Sequence, residues 1–246
     1  MSGLNTSRVL YRVENAVAEI TLNRPENINV FDVYMRDDMF RVVKLFRDDP
    51  DARIGVINGC GEKGFCAGAD LKEFGTTPSQ LASRSIRWER DIWGLLYSIE
   101  KPIIASMHGY VIGTGIEIAA LCDIRISSHD AIFRMPEVTL GMIPAAGGTQ
   151  TISRAIGMAP TLDMIMTGRK ITAQDALQMR LVDRVVPRED LYTVTKSLAL
   201  DLAGMDIKVL MSIKMAAKMG LDHSLQQGLE LEMRVANKLS QATGSQ

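Results

Sequence analysis

The 246-residue chain has few cysteines and histidines, and none of them is spaced for disulfide or metal chemistry. It has three of each, and no two cysteines form a CxxC pair. An odd number of isolated cysteines is typical of reduced intracellular thiols and argues against a disulfide framework. The histidines lack metal-ligand spacing, so we expect no metal site and interpret them as surface or hydrogen-bonded side chains.

The chain also lacks long apolar runs and an excess of charge of either sign. The segment up to Pro25 shows neither the apolar core of a signal peptide nor an Arg-rich amphipathic pattern, and no stretch has the length of a membrane span. The formal net charge of −1 gives no electrostatic argument for a nucleic-acid or membrane partner. We therefore expect a cytoplasmic protein.

Common nucleotide-binding and hydrolase motifs are missing from the glycine-rich segments. Gly113-Thr114-Gly115 follows a predicted strand and begins a helix, but a dinucleotide fingerprint needs a third glycine where Ile118 stands. The chain has no Walker A sequence and no GxSxG elbow. The glycine loops therefore need another explanation.

Apolar strands alternate with amphipathic helices along most of the chain. Hydrophobic residues make up 46% and charged residues 23%, as in proteins with a sizeable core. Short apolar or β-branched runs predict strands within 17–25, 52–59, 101–109, 123–128 and 181–187. Apolar spacing predicts helices over 32–46 and 79–99, and a Pro/Gly turn over 142–150 begins another. The repeated order of strand, glycine-rich turn and helix indicates an α/β fold with short parallel strands.

The C-terminal part is mostly helical in pattern. We therefore divide the chain into an α/β core at 1–189 and a helical region at 190–246. Ser224 is a candidate N-cap. It precedes an apolar stripe formed by Leu225, Leu229, Met233, Ala236 and Leu239. Such a stripe packs either on a neighbouring subunit or on its own domain, and periodicity alone does not decide between them.

Two glutamates stand beside the glycine loops. Backbone N–H groups at a strand-to-helix turn are unpaired and carry partial positive charge, so they can hold an oxygen that becomes negative. The loop 61–70 also follows a strand and offers a second set of donors. Glu117 lies about one turn inside the helix that begins near Thr114, and Glu137 follows Pro136 in an extended or turn segment. Two such carboxylates suit proton transfer next to a carbonyl; alternatively, Glu117 stabilises a helix start and Glu137 is a solvated loop residue.

Four segments, in this order and spacing, resemble the enoyl-CoA hydratase/isomerase (crotonase) superfamily. They are GEKGFCAGADLKEF from Gly61, KPIIASMHGYVIGTGIEIAALCDIRIS from Lys101, FRMPEVTLGMIPAAGGTQ from Phe133 and TGRKITAQDALQMRLVDRVVP from Thr167. No single segment is decisive, but together they cover nearly the whole chain. The resemblance implies a crotonase-like spiral of ββα units with a C-terminal helical region that assembles homotrimers, commonly paired into hexamers.

The resemblance also implies an acyl-CoA thioester as substrate, with coenzyme A as part of that substrate and no separate cofactor. In this family two backbone N–H groups form the oxyanion hole for the thioester oxygen, and here they fall on Ala69 and Thr114. The hydratase glutamates fall on Glu117 and Glu137. The contacts to coenzyme A and substrate fall on Ile28, Ala67, Ala69, Asp70, Leu71 and Lys72.

The implied activity is that of an enoyl-CoA hydratase, which adds water in syn fashion to a 2-enoyl-CoA and gives a 3-hydroxyacyl-CoA. The two glutamates orient and deprotonate the water, and Glu137 delivers a proton to Cα. Double-bond isomerisation, carbon–carbon-bond hydrolysis and decarboxylation stay open, because members of one fold differ in chemistry. An inert acyl-CoA-binding subunit is a further alternative.

Three residues depart from glycines that are usual in the family. Thr114 keeps the backbone amide but adds a side chain that needs room. Arg134 either faces the cavity, where it would bind an acidic acyl group or lower the pKa of Glu137, or lies on the opposite face of its strand. Arg180 costs about 1 kcal/mol if its backbone is left-handed.

Other residues near the predicted site have a functional and a structural interpretation. Lys72 either pairs with a phosphate of coenzyme A or is a solvated loop lysine. Cys66 has no histidine near it in sequence, so we predict a packed residue and not a nucleophile. In the family, the helix after the first loop often borders the acyl pocket, and here it carries Arg87, Trp88, Arg90 and Trp93.

Overall fold

The computed structural model describes residues 8–73 and 89–243. The strands within these ranges are β1 (Val9–Glu14), β2 (Val17–Leu22), β3 (Ile54–Gly59), β4 (Ile103–Met107), β5 (Tyr110–Ile112), β6 (Ile124–Ser128), β7 (Ile132–Arg134), β8 (Ile171–Thr172) and β9 (Arg184–Val186). The α-helices are α1 (Val33–Asp48), α2 (Ile92–Ser98), α3 (Thr114–Ala120), α4 (Gly148–Ile156), α5 (Met158–Thr167), α6 (Ala173–Gln178), α7 (Leu191–Ala203), α8 (Ile207–Gly220) and α9 (Leu225–Thr243).

The strands form two sheets. The larger sheet has the order β1-β2-β3-β4-β6-β9, and all its pairs are parallel except β1 with β2. The smaller sheet has the order β5-β7-β8, with β5 and β7 parallel. Strand, strand and helix follow one another in β1–β2–α1, β4–β5–α3 and β6–β7–α4. The predicted α/β class and the ββα unit are therefore confirmed.

Helices cover both faces of the larger sheet. Ile20 and Ile57 pack in one core with Met39 of α1, whereas Ile104 packs in a second core with Ala199 of α7. Successive strand residues point to opposite faces, so β2, β3 and β4 each supply both cores. The two cores fix the sheet between α1 and α7.

Most predicted elements are present, with ends shifted by a few residues. The segments 17–25, 52–59, 101–109, 123–128 and 181–187 contain β2, β3, β4, β6 and β9. The predicted helix over 32–46 is α1, and the Asp32 carboxylate caps it by accepting the Met35 amide at 2.7 Å. The turn over 142–150 leads into α4, as predicted.

The prediction of one helix over 79–99 is wrong in its described part. Residues 79–88 lie outside the described ranges. Asp91 has a non-helical backbone (φ −72°, ψ 86°), and its side chain accepts the Gly94 amide at 3.0 Å to begin α2. The apolar spacing of the sequence continues across Asp91. Its side chain nevertheless caps a new helix, so the predicted single helix does not run through this residue.

The last two helices form a hairpin. Ser224 is the predicted N-cap of α9, because its side chain accepts the Gln227 amide at 3.4 Å while the Gln227 side chain accepts the Ser224 amide at 3.1 Å. Lys214 of α8 joins the hairpin to the body through Asp123, with 2.7 Å between Nζ and Oδ2. The boundary between residues 189 and 190 stays a prediction.

The apolar stripe of α9 is divided between two environments. Leu239 is half-buried and lines a groove that also includes Met211 of α8. Leu225, Leu229 and Met233 are 81%, 55% and 60% exposed. Part of the stripe therefore packs within the hairpin, and the rest is uncovered in the single chain.

Two further properties concern the described residues as a whole. None of their helices combines the length and the apolar character needed to cross a bilayer. Within the same ranges, no group of three or more His, Cys, Asp and Glu side chains is placed to hold a metal ion.

Arg180 has the left-handed backbone that its position suggested, and its replacement by glycine should stabilise the protein. Its φ is +64°, and its amide donates to the Leu177 carbonyl at 3.0 Å. A side chain is strained in this conformation and glycine is not, so Arg180→Gly should raise the free energy of unfolding by about 1 kcal/mol in urea denaturation. In the adjoining helix, Gln178→Gly should instead lower it by about 0.5–1 kcal/mol. A loss of stability in Arg180→Gly would contradict this account.

Candidate active site

Three chain segments end side by side at one edge of the smaller sheet. The segment through Cys66 runs parallel to β5 with Cys66 opposite Val111, and β5 runs parallel to β7. Residues that follow parallel segments in register meet at the same edge. Ala69 and Thr114 each lie three residues beyond the Cys66–Val111 pair, and Glu137 follows β7. The topology therefore brings together residues that are distant in sequence.

Two backbone amides at this edge have no acceptor among the described residues. Thr114 is the first residue of α3, so its amide has no intrahelical partner. Near Ala69, the Phe31 amide donates to the Gly68 carbonyl (2.8 Å) and the Asp70 amide donates to the Phe31 carbonyl (3.1 Å). The Ala69 amide takes no part in these bonds. Within the described residues neither amide donates a hydrogen bond, and both residues line one cavity. They are available to a ligand oxygen.

Glu117 is buried and is held by the start of another helix. Its side chain is almost fully buried, with the residue 2% exposed. Its Oε1 accepts the Ala146 amide at 2.9 Å and the Gly148 amide at 3.0 Å, where α4 begins. Two N–H donors at a helix N-terminus stabilise the ionised carboxylate. Glycine is required at Gly148, because a Cβ there would lie 2.9 Å from Glu117 Oε1.

Glu137 has a different environment. Its Oε2 is buried without a hydrogen-bond partner among the described residues, and burial raises the pKa of the carboxyl group above its usual range. Its Oε1 lies against Gly113, where a Cβ would come within 2.6 Å of that oxygen. Gly113 also has a positive φ of +48°, so no other residue fits easily at this turn. The two carboxyl groups of the site therefore differ in their hydrogen-bond environment.

The two glutamates and the two amides line a single cavity of about 420 Å³. Its other walls are mainly apolar and include Leu71, Trp93, Ile112, Leu140, Met142 and Ile143. The volume and the few convergent polar groups are typical of a small-molecule site. A carbonyl that accepts both amides would place its neighbouring carbon atoms beside the carboxyl groups.

Not all the predicted ligand contacts lie in this cavity. Ala67 and Leu71 line it, whereas Ile28, Asp70 and Lys72 do not. The Asp70 carboxylate accepts the Lys72 amide at 3.1 Å and the Arg24 guanidinium at 3.0 Å, and these contacts lower its pKa. Asp70 therefore has a clear structural role, and contacts of Ile28, Asp70 and Lys72 with coenzyme A stay predictions.

Two alternatives for Arg134 and Cys66 are decided by the structure. Arg134 is absent from the cavity wall, and its Nε donates to the Gly168 carbonyl at 2.6 Å. Of its two alternatives, the one in which Arg134 faces the cavity and lowers the pKa of Glu137 is therefore rejected, because burial is the largest influence on that pKa and raises it. Burial also raises the pKa of the Cys66 thiol to about 12, so the thiol stays protonated and is not a nucleophile.

The helix after the first loop does border the cavity. Trp93 of α2 lines the cavity and packs against Phe31 with ring centroids 5.6 Å apart. Arg90 pairs with the Asp37 carboxylate. Arg87 and Trp88 lie outside the described residues.

Sequence reasoning missed two residues at the site. Asn29 is fully buried, and its Nδ2 donates to the carbonyls of Cys60, Gly64 and Phe65 at 2.9, 3.2 and 3.1 Å. Its backbone has a positive φ of +52°, and the only sequence signal for this was an asparagine that follows a turn begun by proline. Arg36 lines the cavity from α1, although its position on a helix predicted only a polar face.

Comparison with known proteins supports one family. A family model described as enoyl-CoA hydratase/isomerase matches residues 12–246. The chain is 37% identical to the (E)-benzylidenesuccinyl-CoA hydratase of Thauera aromatica over 223 residues, which cover 90% of this chain and 86% of that protein. It is 36% identical to a probable mitochondrial enoyl-CoA hydratase of Dictyostelium discoideum over 222 residues, which cover 89% of this chain and 78% of that protein.

Solved structures show the same similarity in three dimensions. The enoyl-CoA hydratase of Bacillus anthracis matches this structure with a TM-score of 0.88 at 30% identity. The match covers 94% of this chain and 90% of that one, so it includes most of the C-terminal helices as well as the sheets.

Proposed function

The chain belongs to the enoyl-CoA hydratase/isomerase family, and we propose that it adds water to the double bond of a 2-enoyl-CoA to give a 3-hydroxyacyl-CoA. The crotonase-like fold that the sequence predicted is confirmed by the structural matches. Fold and family alone do not choose among the family's reactions, so the proposal rests on the site.

The observation that carries the proposal is the meeting of two carboxyl groups and two free amides around one cavity. Glu117 and Glu137 line the same cavity as Ala69 and Thr114, whose amides donate no hydrogen bond within the described ranges. Hydration needs a base for water, an acid for Cα and donors for the thioester oxygen, and these four groups supply all three. A double-bond isomerase can work with one carboxylate, so the second glutamate favours the hydratase.

The environments of the two glutamates assign their roles. Glu117 accepts two N–H bonds on Oε1, which favours the ionised form and suits a base. Glu137 has a raised pKa because its carboxyl group is buried, which favours the protonated form and suits an acid. Two carboxyl groups with separated proton affinities are what acid–base catalysis at neutral pH requires.

The proposed reaction then balances within the site. Glu117 takes a proton from water as the water oxygen bonds to C3 of the enoyl group. The π electrons of the C2–C3 bond move toward the thioester, whose oxygen is held by the Ala69 and Thr114 amides. The proton of Glu137 passes to C2, and proton return from Glu117 to Glu137 through water restores the site. Addition of both groups from the same side gives the syn product.

Ligand and assembly follow from the same proposal. Coenzyme A enters as part of the substrate, and the reaction itself needs neither a metal nor a further cofactor. We assign contacts with the thioester arm to Ala67 and Leu71, because both line the cavity. We also propose a homotrimer or a dimer of trimers, supported by the uncovered stripe of Leu225, Leu229 and Met233 on α9.

The proposal is tested by following the enoyl-thioester absorbance. Wild-type protein should remove the absorbance of crotonyl-CoA, a longer 2-enoyl-CoA or a ring-bearing 2-enoyl-CoA. Glu117→Gln should lower kcat by about 10²–10⁴-fold, because the base for water is lost. Glu62→Gln, at a fully exposed side chain, should leave kcat unchanged.

A different outcome would replace the hydratase proposal. If wild type binds coenzyme A but leaves every 2-enoyl-CoA unchanged, hydration is not its reaction. Product analysis on 3-enoyl, 1,3-diketone and carboxylated acyl-CoA substrates would then test isomerisation, carbon–carbon-bond hydrolysis and decarboxylation.

A further inference from the structure

The cavity has one cationic side chain in its wall. Among the described residues that line it, Arg36 carries the only positive charge, beside the two acidic groups Glu117 and Glu137. The rest of the wall is mainly apolar. Neither the base, the acid nor the oxyanion donors of the proposed reaction use Arg36, so its charge needs a separate explanation.

Arg36 is held in place but is not neutralised. Its Nε and Nη2 donate to Asp37 Oδ1 at 3.1 and 2.8 Å, and the Arg90 guanidinium binds the other oxygen of the same carboxylate. Two guanidinium groups that share one carboxylate leave one net positive charge. The Arg36 Nη1 group donates no hydrogen bond within the described part of the chain, so donors remain for a ligand.

The charge is also largely removed from water. The Arg36 side chain is 19% exposed, compared with 61% for Arg41 on the same helix. A guanidinium in a mainly apolar wall gains nothing from a neutral acyl chain and loses hydration when such a chain fills the cavity. A carboxylate would restore the lost contacts, because its two oxygens match the planar donor fork of arginine.

We propose that Arg36 recognises a carboxylate on the acyl group, so that the preferred substrate is a 2-enoyl-CoA whose acyl part is both apolar and anionic. This inference rests on the proposed hydratase function and adds the substrate class. Asp37 and Arg90 are positioning residues in this arrangement, because they orient Arg36 without lining the cavity.

A second source of anionic oxygen is the coenzyme A moiety itself. Its phosphates are separated from the thioester by the long pantetheine arm. Arg36, in contrast, lines the same cavity of about 420 Å³ as Thr114 and Glu117, which belong to the reacting end. A group near the reacting end meets the acyl chain, so we assign the carboxylate to the acyl group.

The test compares two substrates of the same shape. The acyl group of glutaconyl-CoA ends in a carboxylate, and an analogue with an isopropyl group in place of that carboxylate has a neutral acyl group. Longer homologues of both place the terminal group farther from the thioester. In wild type, kcat/KM should favour the carboxylated member. In Arg36→Met this preference should fall about 10- to 100-fold, the usual range for one hydrogen bond to a charged group. For the neutral substrate, kcat/KM should change by less than about threefold. A general folding defect would instead lower kcat/KM for both substrates.

Two further variants serve as controls. Arg36→Lys keeps the charge but loses the planar fork, so it should retain part of the preference. Arg41→Met removes an exposed arginine of α1 that pairs with Asp38 at 3.2 Å, and it should retain all of it.

Each alternative outcome overturns the inference in a recognisable way. An equal loss for both substrates, with weaker inhibition by free coenzyme A, would place Arg36 at the phosphates. An unchanged preference in Arg36→Met, or a wild type that hydrates only neutral substrates, would leave the hydratase proposal standing and reject the carboxylate. If wild type hydrates nothing, the hydratase proposal fails. Calorimetric titration with glutaryl-CoA and its isopropyl analogue then still measures whether Arg36 selects a carboxylate.

Discussion

Glu137→Gln should abolish most hydratase activity, and the stability of the variant relative to wild type should increase as the pH rises. The variant removes the proposed acid for C2, so kcat on the best 2-enoyl-CoA should fall about 10²–10⁴-fold. The Ala69 and Thr114 amides and the Glu117 carboxylate remain, so binding of a saturated acyl-CoA should be nearly unchanged. The absorbance assay and a direct binding titration measure the two effects separately.

The pH dependence has a definite sign. Hydration needs Glu137 protonated, so kcat/KM of wild type should fall as the pH rises through the pKa of this group, which burial has raised. Between the unfolded and the folded pKa values, the folded protein holds a proton that the unfolded chain has released. The free energy of unfolding therefore decreases with rising pH over that interval and stays lower above it. Glutamine does not titrate. The free energy of unfolding of Glu137→Gln, measured relative to wild type, should therefore be constant below about pH 4 and increase as the pH rises above it.

The control for this experiment is again Glu62→Gln. Its side chain is fully exposed and does not line the cavity, so kcat should not change. A Glu137→Gln protein that keeps more than a tenth of wild-type kcat would reject Glu137 as the acid. A stability difference that does not vary with pH would reject the raised pKa.

Asn29→Gly should unfold at a temperature about 6–12 °C lower than wild type, although glycine suits its backbone. The φ of +52° is easier for glycine than for asparagine, so the backbone change alone would stabilise the protein. The loss comes from three carbonyls, of Cys60, Gly64 and Phe65, that would lose their donor. Unsatisfied buried carbonyls cost about 1–3 kcal/mol each before relaxation, and a net loss of about 3 kcal/mol corresponds to this shift.

The same substitution should affect the site, because Asn29 belongs to the segment that supports the oxyanion loop. The neighbouring Ile28 carbonyl accepts the Ala67 amide at 2.9 Å, and the Phe31 amide donates to Gly68 at 2.8 Å. If this segment shifts, the Ala69 amide shifts with it, so kcat should fall more than acyl-CoA affinity in the folded protein. Asn29→Asp should be worse still, since its oxygen would face the three carbonyl oxygens.

The nearby Asn27 provides a matched comparison. It is exposed, and its side chain makes no hydrogen bond with the part of the chain that the structure describes, so Asn27→Gly should melt close to wild type. Equal melting temperatures for Asn29→Gly and wild type would contradict the role given to the three hydrogen bonds. Equal losses of kcat and of affinity would limit Asn29 to stability.

Local pattern predicts most of the longer elements and the three-residue strand β9, but it misses β5 and β7. β2, β4, β6 and α1 have enough residues to show a period, and Asp32 marks where α1 begins. β5 and β7 have three residues each, too few for a recognisable period, and they become strands only by pairing with neighbouring segments. β1 was also missed. The helix predicted over 79–99 failed at Asp91 because a capping side chain overrode the apolar spacing.

The candidate site also contains residues that local sequence identifies and residues that it does not. Glu117 and Glu137 were identifiable because an acid inside an apolar run and an acid after a proline are locally unusual, and the glycine loops lie beside them. Asn29 was not identifiable, since the carbonyls that it holds are 31 to 36 residues away in sequence. Arg36 looked like an ordinary residue on the polar face of a helix.

The sequence by itself determined the α/β class and the family resemblance and indicated Glu117 and Glu137 as candidate acids, because strand period, glycine turns and isolated acids are local signals. The tertiary structure decided which side chains share the cavity and which groups surround each of them. Glu117 accepts amides from α4, whereas Glu137 Oε2 is buried without a partner, and only the folded chain brings in those surroundings. The difference between the two carboxyl groups depends on burial and on donors from distant segments, which no local pattern records.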